Sequence, residues 1–321
     1  MACLRFLDIK VAVVALLGGI LLMNTGWAQS GMRGHDISEI CGDCKFEKVA
    51  TCEGFIEGIT FDRAGNPWMV ALLNGNILKV TVADGQCTAQ GNTGGSPNGA
   101  KWHKDGTLYV ADRQRGIVKF DPATKQVTTV TNRFGLENLR GVNDLVFDRG
   151  GGLYFTEPYG SHALKRIGRV FYLPPGADAK LQLFMDGIGF PNGVALSPDE
   201  SRVYVGEYGF NRVVAGPSIV SNNPNSTGPY IFASMVGGVG PDGLAVDSAG
   251  NLYAAHFSAG EIVVYDPLGF PFGAIRLPQG SGVGTTNIAF HDGYLYLTEG
   301  FQNTVWRLKT NVAGHPLFHE R

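Results

Sequence analysis

Six times along the chain a polar residue opens a short apolar strand, a polar turn follows, and a second strand rich in Leu, Tyr and Val returns. The copies begin at Glu57 (EGITFDRAGNPWMV), Asn98 (NGAKWHKDGTLYVAD), Asn143 (NDLVFDRGGGLYFTE), Asn192 (NGVALSPDESRVYVGE), Asp242 (DGLAVDSAGNLYAAH) and Asn287 (NIAFHDGYLYLTE). Successive starts lie 41, 45, 49, 50 and 45 residues apart, the span of one four-stranded propeller blade. Alternating apolar and polar positions, bounded by turns such as Asp105-Gly106 and Ala249-Gly250, predict a hairpin in each copy. Further strands are expected later in the period, at Gly116 to Asp121 and Gly260 to Asp266. No helix-period segment competes, so the chain reads as all-β.

Ring closure is legible too. After the sixth hairpin, Asn303 to Leu308 gives a third strand and the sequence soon runs out. The segment Phe46 to Thr51, ahead of the first repeat, is placed to supply the missing outer strand and so to pair an exposed edge. The expectation is a six-bladed β-propeller over residues 46–309, its last blade completed by the N-terminal segment. An N-terminal arm (29–45) and a C-terminal tail (310–321) flank it.

Residues 1–28 read as a secretory signal: Arg5 and Lys10, then the apolar Val11 to Met23, then Gly26-Trp27-Ala28 before a cleavage at Gln29. The apolar run is 13 residues long, short of the ~20 needed to span a bilayer, so a cleaved signal is favoured over an anchor. The expected localisation is secreted or periplasmic, with no membrane attachment after cleavage. Cys41, Cys44, Cys52 and Cys87 then remain, an even number that predicts disulfides in an oxidising compartment. Their pairing is open. Cys41 and Cys44 have redox-motif spacing but no βαβ context, so a structural role for the arm is the better reading. Charged residues are 17% and the net charge is −2, without a basic run, which argues against nucleic acid as a partner.

In a propeller the first strand of each repeat lines the central axis, which brings the six opening residues to one mouth of the channel. Glu57, Asn98, Asn143, Asn192, Asp242 and Asn287 all carry side-chain oxygens and none is Cys or His. Such donors suit a hard cation, Ca²⁺ or Mg²⁺, rather than zinc. Asn-Gly and Asp-Gly are also ordinary turn dipeptides. Glu57 opposes that plainer reading, because Glu is a poor turn former.

Counting 14 residues on from an opening returns the chain to the same mouth. That position holds Asp112, Glu157 and His256, with Glu207 and Glu299 at the equivalent places in the fourth and sixth repeats; the first repeat has Ala71 there. Some of these acids are expected to be capped by backbone amides or paired with Arg113 or Arg140. His256 replaces an acid and is a candidate general base, or a structural hydrogen-bonding residue. His35, His103, His162, His291, His315 and His319 show no ligand spacing and are expected at the surface.

These motifs resemble the SMP-30/gluconolactonase group of calcium-dependent six-bladed propellers, which includes lactonases and related phosphotriesterases. The similarity rests on Asn143 to Gly160 (NDLVFDRGGGLYFTEPYG), PNGVALSPDE from Pro191, PDGLAVD from Pro241, and Ala255-His256-Phe257. It runs from about Glu57 to Leu308. It implies Glu57, Asn143, Asn192 and Asp242 as metal ligands, and moves Asn98 and Asn287 behind or beside them. The family's Glu-Gly-Pro opening is Glu57-Gly58-Ile59 here.

The implied activity is a secreted Ca²⁺-dependent lactonase or ester hydrolase acting on a small-molecule lactone. Asp242 is the first candidate to activate water and His256 the second, with Arg140, Glu157, Tyr159 and Asn98 positioning substrate. A phosphotriesterase on the same site, a non-catalytic binding propeller and, last, a strictosidine-synthase-like role are the competing readings.

Overall fold

The computed structural model of the chain describes residues 34–221 and 228–321. The expected signal peptide lies outside them. Six four-stranded antiparallel sheets succeed one another along the chain, each strand pairing with the next. Their innermost strands are Ile56–Phe61, Pro97–Trp102, Leu145–Phe147, Pro191–Leu196, Gly240–Val246 and Thr285–His291. Each of these packs on the innermost strand of the next blade, and the sixth packs on the first. The chain forms a six-bladed β-propeller.

Closure occurs where the sequence places it. Phe46–Thr51 pairs antiparallel with Thr304–Lys309 and completes the sixth blade. A disulfide between Cys52 and Cys87 then ties this strand's end to Gln86–Asn92, the outer strand of the first blade. The second disulfide, Cys41–Cys44, closes a single turn in the N-terminal arm, the short helix Ser38–Cys41. Its Ile40 and Cys41 are buried against the hydrophobic cluster of the fifth and sixth blades.

The core is the set of seams between blades. Trp68 and Trp102 meet edge to face at 5.0 Å between the first two blades, and Tyr253 and Phe290 at 4.9 Å between the last two. Such pairs add roughly 0.5–1.5 kcal/mol each beyond their area burial.

Glycine governs how close the inner strands come. A Cβ on Gly58 would lie 2.5 Å from the Asn98 carbonyl oxygen, and one on Gly193 2.2 Å from that of Asp242. The Gly that follows an opening residue therefore serves close packing of neighbouring blades, and most of these dipeptides lie within strands rather than turns.

The far end of the channel is closed by the C-terminal segment. Gly314 bridges to Asp247, the His315 amide bonds to the Val246 carbonyl, and Phe318 stacks on Phe147 at 4.8 Å. His315 and His319 are half-buried there beside Lys101 and Thr60, rather than at the open surface. His103 and His291 are likewise half-buried, packed on Phe147 and Phe61 respectively.

Candidate functional site

At the other mouth the opening residues converge. Glu57, Asn98, Asn143, Asn192, Asp242 and Asn287 are all buried. Ladder irregularities between Glu57 and Thr60, Pro97 and Gly99, Pro191 and Val194, Pro241 and Leu244, and Thr285 and Asn287 mark five of the six strands at this point. Bulges of this kind re-aim a side chain, here at the channel axis.

The side chains form a linked ring. Asn98 and Asn143 exchange amide contacts at 3.4 and 3.5 Å, and Asn98 lies beside Glu57. Asn192 lies beside Asp242, and Asn287 beside Asp144. Asp144 fills the place that glycine takes in four other blades. Its carboxylate accepts the Leu145 amide at 2.9 Å and the Val194 amide of the next blade at 3.3 Å.

Three buried acids so close together cannot all ionise freely. Burial is the largest influence on each, and it raises the carboxyls of Glu57, Asp144 and Asp242. Glu57 is pushed up to about 8. Asp242 lies well above the usual carboxylate range, raised further by the charges of Glu57 and Asp144. Arg113 opposes these shifts at Glu57 and Asp242, and Lys101 opposes them at Asp144. Two buried oxygens of the proposed ligand set, Glu57 Oε2 and Asn192 Oδ1, have no hydrogen-bond partner among the described residues. Unpartnered buried oxygens are costly, and a divalent cation would satisfy them while offsetting the crowded acids. The residues present therefore fit Ca²⁺. Among the described residues no three His, Cys, Asp or Glu side chains converge on one point, so such a site has to draw on the Asn oxygens.

The predicted second ring is present but differently employed. Asp112, Glu157, Glu207 and Glu299 each accept a backbone amide from the loop leading into their own blade, from Ser96, Arg140, Gly189 and Gly284 respectively. Glu157 also takes Arg140 Nη2 at 3.3 Å and Arg169 Nε at 2.6 Å. It is 1% exposed, so it holds Arg140 in place and does not face a substrate.

His256 is fully buried, and both its nitrogens are engaged. Nδ1 meets Glu261 Oε1 at 3.2 Å and Nε2 meets Asn211 Oδ1 at 3.1 Å. With no free nitrogen aimed at the channel, His256 fits the structural alternative and not the role of base.

Arg140 and Tyr159 do reach the mouth. With Arg113, Leu139, Pro158 and Phe190 they line a groove of about 760 Å³ on this face. Tyr159 is exposed. Arg113 is also exposed and, among the described residues, forms no ion pair. Sequence reasoning paired it with the ring of acids, but Arg140, Arg169 and Arg212 take those places. Asp144 was read only as part of a strand opening; its identity as an acid beside Asn143 was the available signal.

The sequence pattern described as SMP-30/Gluconolactonase/LRE-like region matches residues 55–300. The lactonase drp35 of Staphylococcus epidermidis is 30% identical over 251 residues, 74% of this chain and 75% of its own length. Its counterpart in Staphylococcus haemolyticus is 32% identical over 233 residues, 70% of each chain. In fold, the chain is similar to a gluconolactonase from Xanthomonas campestris, with a TM-score of 0.74, 24% identity, and coverage of 85% of this chain and 92% of the other. It is also similar to the calcium-binding protein regucalcin from Agrobacterium tumefaciens, with a TM-score of 0.72, 20% identity, and coverage of 85% and 96%.

Proposed function

The chain belongs to the SMP-30/Gluconolactonase/LRE-like family, and from that premise we propose that its channel mouth hydrolyses a cyclic ester with a bound Ca²⁺ ion. The observation that carries this reading is the pair of partnerless buried oxygens, Glu57 Oε2 and Asn192 Oδ1, beside the buried acid Asp242. Glu57, Asn143, Asn192 and Asp242 would hold the ion, which when bound supplies positive charge to offset the negative charge developing on the lactone carbonyl oxygen. The two lactonase relatives support the reaction class.

Asp242 takes the proton of the attacking water at a carboxylate oxygen. The water oxygen bonds to the carbonyl carbon, the ring C–O bond breaks, and the proton passes to the departing ring oxygen, leaving a hydroxy acid. Burial and neighbouring acids raise the Asp242 carboxyl in the metal-free site, and the charge of a bound Ca²⁺ would favour the ionised form that a base needs. Asn98 lies beside Glu57 and favours its ionised form, and Arg140 and Tyr159 present the groove along which substrate would lie.

Export to an oxidising compartment is part of the same proposal. It is supported by the two disulfides, which persist in secreted and periplasmic proteins.

Asp242→Asn tests the mechanism. It should lower kcat for a lactone by roughly 10²–10⁴, the usual contribution of a general base, and weaken Ca²⁺ binding. Full activity in that variant would contradict the assignment.

A further inference from the structure

Five aromatic rings run in sequence around the mouth. Phe190 meets Tyr208 at 5.2 Å, Tyr208 meets Phe257 at 6.1 Å, Phe257 meets Phe301 at 5.3 Å, and Phe301 meets Phe55 at 6.1 Å. They come from the fourth, fifth, sixth and first blades, so together they follow the rim from the fourth blade round to the first. All five stay partly exposed, and Phe301 is 53% exposed. The arc comes near Asp242 at Tyr208, whose phenol is pushed up to about 12 by burial first and by the charge of Asp242 second.

The rest of the rim has a different character. In the groove between the second, third and fourth blades, Arg113 and Tyr159 line the wall together with Phe190, the first ring of the arc. The other arginine there, Arg140, is committed to Glu157, so among the described residues Arg113 is the groove's cation without an ion pair. Lys165 and Arg166 lie in the loop between the second and third strands of the third blade, Arg166 3.9 Å from Glu207.

A polyhydroxylated ring needs hydrogen-bonding partners on all sides, and the arc offers it one hydroxyl, on Tyr208. Aromatic faces instead reward an apolar body, and an unpaired guanidinium rewards a carboxylate or phosphate. We propose that this mouth selects an apolar-bodied, anionic ligand, its aryl or alkyl part on the Phe190–Phe55 arc and its anionic group on Arg113. For the reaction proposed above, on which this inference rests, that means an apolar lactone bearing an acidic substituent rather than a sugar lactone.

Binding of three inert probes separates the contributions: 2-naphthoate (apolar and anionic), 2-naphthol (apolar and neutral) and gluconate (anionic and polyhydroxylated). They are titrated calorimetrically into the calcium-loaded full chain, and gluconate controls for simple carboxylate–metal contact. The expected result is 2-naphthoate binding about ten-fold or more tighter than either other probe, the scale of one charge-assisted contact. Arg113→Gln should remove the advantage over 2-naphthol while leaving 2-naphthol itself unchanged. Phe301→Ala, at a half-exposed position that tolerates truncation, should weaken both naphthyl probes and spare gluconate.

Gluconate binding as tightly as 2-naphthoate, or Arg113→Gln acting equally on all three probes, would overturn the proposal. The two readings fail separately. Selective 2-naphthoate binding without hydrolysis of any lactone upholds this inference and removes the reaction. Hydrolysis of a sugar lactone without 2-naphthoate preference does the reverse.

Discussion

Gly193 lies directly against Asp242: a Cβ placed on Gly193 would sit 2.2 Å from the Asp242 carbonyl oxygen. Neither is a turn residue; each lies in the innermost strand of its blade, Pro191–Leu196 and Gly240–Val246. Close approach here fixes the spacing between Asn192 and Asp242, two of the four proposed ligands. Gly193→Ala should therefore separate the fourth and fifth blades, at a cost of about 1–3 kcal/mol for overpacking. Chemical denaturation reads that loss, and Ca²⁺ affinity should fall with it. An unchanged midpoint and unchanged affinity would remove the spacing argument.

Protons should compete with Ca²⁺ at this site. Burial raises both Glu57 and Asp242; the charge of Asp144 adds to both, and that of Glu57 adds further at Asp242. In the metal-free protein their raised values make a stabilising contribution that is fully present below the unfolded carboxylate range. It is lost as pH rises through the folded values, about 8 for Glu57. Metal-free protein should thus lose thermal stability between about pH 5 and about pH 9. Ca²⁺ affinity should rise over the same interval as protons leave. Titrations with and without chelator across that interval check both slopes.

His256 separates a chemical role from an architectural one. Its contacts to Glu261 and Asn211 join the fifth blade to the loop after the fourth blade's second strand. His256→Gln should cost about 1–3 kcal/mol of stability, the penalty for stranding buried partners. The pH–rate profile of the surviving activity should keep its shape. A lost limb in that profile, at unchanged stability, would return His256 to the list of bases.

Much of this arrangement was readable in the chain because a propeller repeats it. The interval between openings gave the blades, and the missing outer strand after Leu308 pointed to Phe46–Thr51, which pairs there. The 14-residue return correctly placed Asp112, Glu157, Glu207, His256 and Glu299 at or near the ends of second strands. What occupies each of them was not legible. The amides that cap Asp112 and Glu157 belong to Ser96 and Arg140, 16 and 17 residues upstream in loops without period.

The Asn-Gly and Asp-Gly pairs left a turn open as the plainer reading for a related reason. A dipeptide reports its own turn preference and carries no mark of the neighbouring strand that Gly58 or Gly193 must admit. Residues 310–321 looked like a tail for want of any periodic pattern, yet they close the far end of the channel through Gly314 and Phe318. Cysteine pairing also depended on the fold, because Cys52 and Cys87 meet only where the outer strands of the sixth and first blades lie side by side.

The central claim is that the channel mouth, with Glu57 and Asp242 at its centre, is a Ca²⁺-dependent hydrolytic site. Its most direct test is lactone hydrolysis by the purified protein, measured before chelation, after exhaustive chelation, and after Ca²⁺ is restored, with metal content determined at each stage. The account predicts hydrolysis that disappears with the metal and returns with about one Ca²⁺ per chain, the number that one such ligand set holds. Full hydrolysis by demonstrably metal-free protein would contradict it.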